Sequence, residues 1–283
     1  MIKSVGIVGA GTMGNGIAQV AARAGFDVVL YDISTEVLKD AMARIKEDFR
    51  RGVEKGKITA TEATEAFSAI HPRRNFGDMG NADFIIEAVA EDLNVKKEIF
   101  KKLDAIVAPE AILTSNTSSL SISAIASLTK TPESVVGMHF FNPPALMKLV
   151  EVVRGRQTSD ETTKTACDLA LRMKKIPVVC KDTPGFIVNR VARPFYGEAL
   201  RLLAEGVATV EEIDMIVKME GGFKMGPFEL MDLIGIDVNY AVTKSVYEQF
   251  FHEPRFRPHP IQRQMVEAGT LGRKTKKGFY TYK

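Results

Sequence analysis

At 283 residues the chain is too long for one small core and fits about two domains. Its 45% hydrophobic and 26% charged content is that of an ordinary soluble globular protein, and a net charge of +3 argues against nucleic acid as a partner, a local basic patch aside. No run approaches the roughly 18 apolar residues of a membrane span, so none is expected. The first strand-like run starts almost at Met1 and leaves no room for a targeting segment, so a cytoplasmic protein is expected. Cys167 and Cys180 form no CxxC pair and no metal-ligand spacing; they read as reduced, buried thiols, and no metal is expected.

In chain order, "SVGIVGA", "DVVLYD", "DFIIEAVA", "AILTSN" and "SVVGMHFF" are short apolar runs bounded by turn residues. They predict strands buried on both faces of a parallel sheet. Helices are predicted between them, at 12–24, 35–54 and 94–107. In the second, Val37, Ala41, Ile45, Phe49 and Val53 mark one apolar face. Thr59 and Glu62 have capping-box spacing and open a further helix, so 35 onward reads as a helical hairpin inserted before a strand near 70–76. The alternation predicts an α/β, Rossmann-type doubly wound sheet over residues 1–183. "KIPVVCKDT" is the last strand-like run. Helices are then predicted at 184–204, 209–219, 227–234, 237–250 and 259–268, with Pro184 in a first turn, giving an all-helical C-terminal domain over 184–283.

"GIVGAGTMG" places G-x-G-x-x-G at Gly9, Gly11 and Gly14, with Thr12 and Met13 inside the loop. The bare pattern is weak, but here it follows a strand and opens a helix. Gly9 allows the tight turn, Gly11 lets a pyrophosphate approach the backbone, and Gly14 lets helix and strand pack closely. Asp32 ends the second strand, where a carboxylate meets the adenosine ribose and repels a 2′-phosphate. It favours NAD over NADP, the other reading being a cap for the next helix.

Polar groups fall after successive strands: Glu91, the cluster "SNTSS" at 115–119, and His139 with Asn142. Ligands of open α/β sheets bind beyond those strand ends. His139 therefore reads as a general base or acid rather than a satisfied core histidine. Glu151, in "KLVEVVRG", lies among apolar neighbours where a lone carboxylate is costly. Pairing with His139 across the turn through Pro143 and Pro144 is the economical arrangement, against a solvated surface position.

The loop "GAGTMG", the runs "SNTSSLSI" and "GMHFFNPP", the spacing from His139 to Glu151, "DTPGFIVNR" and the tail "GRKTKKGFYTY" together resemble the L-3-hydroxyacyl-CoA dehydrogenase family. The resemblance is nearest to its short bacterial 3-hydroxybutyryl-CoA members and covers essentially the whole chain. It implies an NAD-dependent oxidoreductase of butanoate and fatty acid metabolism that interconverts (S)-3-hydroxybutanoyl-CoA and acetoacetyl-CoA. His139 and Glu151 would form its catalytic dyad, and Ser118 and Asn189 would hold the substrate. Glu91, Lys96, Asn116, Ser118, Asn142 and Lys274 would lie near the cofactor, although "KTKKGF" departs from the family's usual glycine after the threonine.

Beside this stand an oxidation of a free 3-hydroxy acid or sugar acid, and a non-catalytic binding protein on the same scaffold. Basic residues bear on the first choice: "FRRGVEKGK" supplies Arg50, Arg51, Lys55 and Lys57. Arg51 and Lys55 share a helix face and are expected to meet CoA phosphates, unless the run is only a solvated face. Apolar residues of the helical domain, among them Phe186, Ile187, Phe195, Leu230, Leu233 and Ile234, exceed what so small a core hides. With the family resemblance they predict a homodimer.

Overall fold

A computed structural model describes residues 2–283. Ser4–Val8 (β1) turns into Thr12–Arg23 (α1), and Asp27–Tyr31 (β2) pairs parallel with β1. Thr35–Glu54 (α2) starts at Ser34, whose hydroxyl accepts from Val37 N–H, and buries Leu38, Ala41, Ile45 and Phe49. Val37 and Val53, the ends of the predicted stripe, are only half-buried. Ala60–Ser68 (α3) begins with a capping box in which Thr59 Oγ1 accepts from Glu62 N–H and Glu62 Oε2 accepts from Thr59 N–H.

Ile70–Arg73 (β3), Phe84–Glu87 (β4), Leu93–Asp104 (α4), Ile112–Ser115 (β5), Ile122–Ala126 (α5) and Val135–Phe140 (β6) follow. Leu149–Arg154 (β7), Asp160–Arg172 (α6) and Ile176–Lys181 (β8) complete the first unit, residues 1–183. The sheet order is β3-β2-β1-β4-β5-β6-β7-β8. It is the Rossmann-like arrangement, built on Val5, Ile7, Leu30, Ile86 and Val136 with both faces covered.

Two features lie outside the five predicted strands of the parallel sheet. The sheet is not wholly parallel, because β7 turns back on β6 and pairs with it antiparallel. The edge strand β8 is not buried on both faces: Ile176, Val178 and Val179 are exposed. Helix α6 carries its start signal in polar residues rather than in an apolar stripe. Ser159 caps it at Thr162 N–H, and Asp160 and Glu161 fill its first turn. Both cysteines are half-buried rather than buried, and burial pushes the Cys180 thiol up to about 12.

The second unit, residues 184–283, holds Val188–Ala204 (α7), Val210–Met219 (α8), Pro227–Ile234 (α9), Ile236–Gln249 (α10) and Pro260–Glu267 (α11). Its core includes Tyr196, Leu200, Ile213, Phe228, Met231 and Ile236. Pro184 does not open a helix. Gly185 and Phe186 follow it with φ of 73° and 49°, left-handed backbone that no helix continues, and α7 starts only at Val188. Phe186 is buried, so it leaves the set of expected surface apolar residues. Phe195 and Leu230 are half-buried, while Ile187, Leu233 and Ile234 are exposed. No helix among the described residues is long and apolar enough to cross a membrane.

The tail of this unit is held by two buried carboxylates. Asp232 accepts from Phe279 N–H at 3.0 Å and from Tyr280 N–H and the Tyr282 hydroxyl, both at 2.9 Å. Asp214 accepts from Phe228 N–H, Glu229 N–H and the Tyr280 hydroxyl, each at 2.9 Å. Gly278 is required there, since a Cβ would lie 2.0 Å from Asp232 Oδ1.

Candidate active site

The turn from β1 into α1 has the shape a pyrophosphate needs. Gly9 has φ of 102°, and a Cβ on it would meet the Ala88 carbonyl oxygen at 2.8 Å. A Cβ on Gly14 would lie 1.8 Å from the Gly9 oxygen, so loop and helix can close only on glycine. Gly11 faces the other way: nothing lies within 4 Å of its Cβ position, and no side chain caps the N-terminus of α1 there. Thr12 and Met13 are the first residues of that uncapped turn. Open space, unclaimed N–H donors and the positive end of a helix dipole fit the diphosphate of a dinucleotide.

Asp32 is not the cap of α2, which is Ser34. Its Oδ2 accepts from Ala10 N–H at 2.9 Å and its Oδ1 from Ser34 N–H at 3.0 Å. The carboxylate thus ties the end of β2 to the glycine loop and stays half-exposed. Its remaining lone pairs suit a ribose diol.

Beyond β4 and β5 a polar cluster forms. Glu91 Oε1 accepts from Thr117 Oγ1 at 2.6 Å, Ser118 N–H at 2.9 Å and Ser118 Oγ at 3.2 Å. Lys96 lies below it with no exposed side-chain surface, its Nζ 2.7 Å from Glu87 Oε1 and 3.5 Å from Glu91 Oε2. Glu87, the last residue of β4, also accepts from Ser115 Oγ at 2.6 Å. Asn116 Oδ1 accepts from Phe140 N–H at 2.9 Å, locking the end of β5 to the end of β6. Ser121 caps α5 by accepting from Ala124 N–H, and Asp182 accepts from Ile122 and Ser123 N–H, fixing the start of the helix that follows the serine run.

His139 and Glu151 are directly opposed in the β6/β7 ladder, with Nδ1 2.7 Å from Glu151 Oε2. Both are buried, and the Phe141 ring lies 4.4 Å from the imidazole, centroid to centroid. A cis peptide joins Asn142 to Pro143, and Asn142 is exposed just beyond the histidine.

The remaining predicted residues lie elsewhere. Arg51 Nε is 2.7 Å from Glu47 Oε1 on the exposed side of α2, and Arg50 shares the same glutamate. The two guanidiniums, Arg50 first, hold the Glu47 carboxyl down at about 2. Lys55 is exposed at the C-terminal end of α2. In the helical unit, Asn189 is the second residue of α7 and its carbonyl accepts from Arg193 Nε at 3.1 Å. Lys274 Nζ lies 2.6 Å from Asp237 Oδ2. The described residues contain no cluster of three potential metal-ligating His, Cys, Asp or Glu side chains.

Residues 4–183 match the family domain described as 3-hydroxyacyl-CoA dehydrogenase, NAD binding domain, and residues 185–282 match 3-hydroxyacyl-CoA dehydrogenase, C-terminal domain. A probable 3-hydroxybutyryl-CoA dehydrogenase of Deinococcus radiodurans is 44% identical over 98% of this chain and 99% of its own length. A 3-hydroxyadipyl-CoA dehydrogenase of Escherichia coli is 48% identical over the whole chain, which spans only 59% of that longer protein. Among solved structures, (S)-3-hydroxybutyryl-CoA dehydrogenase of Ralstonia eutropha superposes with a TM-score of 0.96 at 42% identity, covering 100% of both chains.

Proposed function

Because the chain belongs to the 3-hydroxyacyl-CoA dehydrogenase family, with NAD as its cofactor, we propose that it interconverts (S)-3-hydroxybutanoyl-CoA and acetoacetyl-CoA through a His139–Glu151 dyad. The observation that carries the reading is the 2.7 Å contact between these side chains, in a unit whose glycine loop fits a dinucleotide. The nicotinamide supplies the hydride acceptor in oxidation and, reduced, the donor in the reverse direction.

The protein's own groups do the rest. Glu151 accepts a hydrogen bond from Nδ1–H, which leaves Nε2 of His139 to take the proton from the 3-hydroxyl or to return it to the 3-oxo oxygen. The carboxylate also stabilises the imidazolium formed in oxidation. Ser118, whose hydroxyl is fixed on Glu91, and Asn189 are assigned to substrate positioning. Gly9, Gly11, Thr12, Met13, Gly14 and Asp32 hold the adenosine diphosphate half of the cofactor. Glu91, Lys96, Asn116, Asn142 and Lys274 are assigned to the remainder of that site. Arg51 and Lys55 are assigned to CoA phosphates; Arg51 would then exchange or share its ion pair with Glu47, at an exposed position where such pairs are weak.

Exposed Val191, Ile216, Met219 and Phe223, with Ile187, Leu233 and Ile234, give the helical unit an apolar surface suited to a second copy. Sedimentation showing only monomer at micromolar concentration would refute the dimer.

The assignment is tested by NADH oxidation with acetoacetyl-CoA, with acetoacetate and without substrate. Turnover with the thioester, and little or none with the free acid, is the expected result. Equal rates with both would move the protein to the free-acid reading. Comparing oxidation of 3-hydroxyadipyl-CoA and 3-hydroxybutanoyl-CoA decides between a dicarboxylyl and a short acyl substrate.

A further inference from the structure

Lys175 lies between α6 and β8 with 7% of its surface exposed. Its ammonium pairs with no carboxylate among the described residues; it donates to the Pro144 carbonyl and, at 2.9 Å, to the Met147 carbonyl. Burial first, and then Arg23, push its pKa down. Burying a cation without a countercharge is costly. Complementing the C-terminal dipole of α6 does not require it, since Arg172 and Lys174 stand exposed at the same helix end. The burial is therefore explained by what the ammonium holds.

What it holds is the segment 141–148, the connection from β6 to β7 and so from His139 to Glu151. That segment carries Phe141 against the His139 ring and exposes Asn142. It is pinned a second time at Pro144, which is buried on α1: a Cβ on Gly16 would lie 2.7 Å from Pro144 Cδ. The helix that starts at the dinucleotide loop, the loop beside the histidine and the Lys175 ammonium thus form one packed unit.

We propose that Lys175 is a positioning residue for the cofactor site, holding segment 141–148 against α1 so that Asn142 and Phe141 keep their places beside His139. This rests on the reading of Asn142 as a cofactor residue. Two carbonyls oriented by one ammonium are a stiffer constraint than a turn alone, because charge-assisted hydrogen bonds are stronger than neutral ones. Removing the donor while keeping the side-chain length frees the segment, and the loss falls on NADH rather than on the thioester.

The test is Lys175→Met and Lys175→Arg, each measured by fluorescence titration of NADH, by steady-state kinetics in both substrates and by thermal melting. For Lys175→Met the dissociation constant and KM for NADH rise about tenfold, the effect of losing about one charge-assisted hydrogen bond. KM for acetoacetyl-CoA stays unchanged, and Lys175→Arg recovers most of the loss. A folded Lys175→Met protein with unchanged NADH affinity would overturn the proposal, as would a parallel change in both KM values that Arg does not rescue. If Lys175→Met does not fold, Gly16→Ala addresses the same packed unit, since its methyl group displaces Pro144. Weaker NADH binding supports the proposal there and unchanged binding overturns it. The NADH titration reads out even if the wild type turns over no thioester, so failure of the substrate assignment stays distinguishable.

Discussion

His139 Nδ1 lies 2.7 Å from Glu151 Oε2 because the two residues are directly opposed across an antiparallel strand pair. The contact is built into the ladder register, so a one-residue slip would turn the glutamate to the other face of the sheet. His139→Gln is expected to lower kcat by about 10²–10⁴-fold, the usual range for loss of a general acid–base. Glu151→Gln should also be severe, since an amide carries no charge to stabilise the imidazolium. NADH binding, measured by fluorescence, should be nearly unaffected in both. Near-normal kcat in either folded variant would remove the dyad from the mechanism.

Asp32 is expected to set the preference for NADH over NADPH, because a 2′-phosphate would meet its negative charge. The structure adds a second consequence, since the same carboxylate takes the Ala10 and Ser34 N–H groups. Asp32→Ala should therefore narrow the ratio of kcat/KM for the two cofactors mainly by weakening NADH, with little gain for NADPH. Wild-type preference for NADPH would contradict the assignment.

Much of this was legible in the sequence wherever a local rule fixed the geometry. The glycine turn, the Thr59–Glu62 capping box and the Ala41–Ile45–Phe49 stripe each depend on residues a few positions apart. The pairing of His139 with Glu151 was legible for a different reason: a charge among Leu149, Val150, Val152 and Val153 needs a partner, and the chain offers one across a short turn. Glu87 was hidden because its partners, Lys96 and Ser115, come from a helix and a neighbouring strand. Lys175 opens the strand-like run "KIPVVCKDT", and nothing nearby reveals that it reaches back to Pro144 and Met147. Pro184 misled because a proline suits a first helical turn, while left-handed backbone at Gly185 and Phe186 delays α7 to Val188.

Glu87 and Lys96 form an ion pair with no exposed side-chain surface at either partner. Lys96→Met leaves a carboxylate buried with only Ser115 Oγ and Val89 N–H to satisfy it. Breaking such a pair from one side costs about 3–5 kcal/mol, whereas replacing both charges with apolar residues is often far milder. Urea unfolding should accordingly find Glu87→Leu/Lys96→Met more stable than Lys96→Met alone. A double variant worse than either single one would show that the pair's hydrogen bonds, rather than its charge balance, are what the core needs.

The tail in the helical unit should respond to alkaline pH. Burial first, and the hydrogen bond to Asp232 second, raise the Tyr282 hydroxyl from its ordinary value near 10 to about 12. Tyr280, donating to Asp214, is raised as well. A tyrosine whose pKa is higher folded than unfolded keeps its proton longer in the folded state. Between about pH 10 and 12 the folded state therefore binds more protons, and stability falls as pH rises through that window. Below about pH 10 the contribution is fully present. Tyr282→Phe removes the ionisation, so its stability should be lower than wild type at pH 8 and should decline less steeply above pH 10. Tyr280→Phe should cost about 1–3 kcal/mol at neutral pH, since it leaves Asp214, a buried carboxylate, with one acceptor site unfilled. Denaturant unfolding at pH 8, 10 and 11 measures all three. A wild type and Tyr282→Phe pair with parallel pH profiles would show that the Tyr282 hydroxyl does not hold the tail.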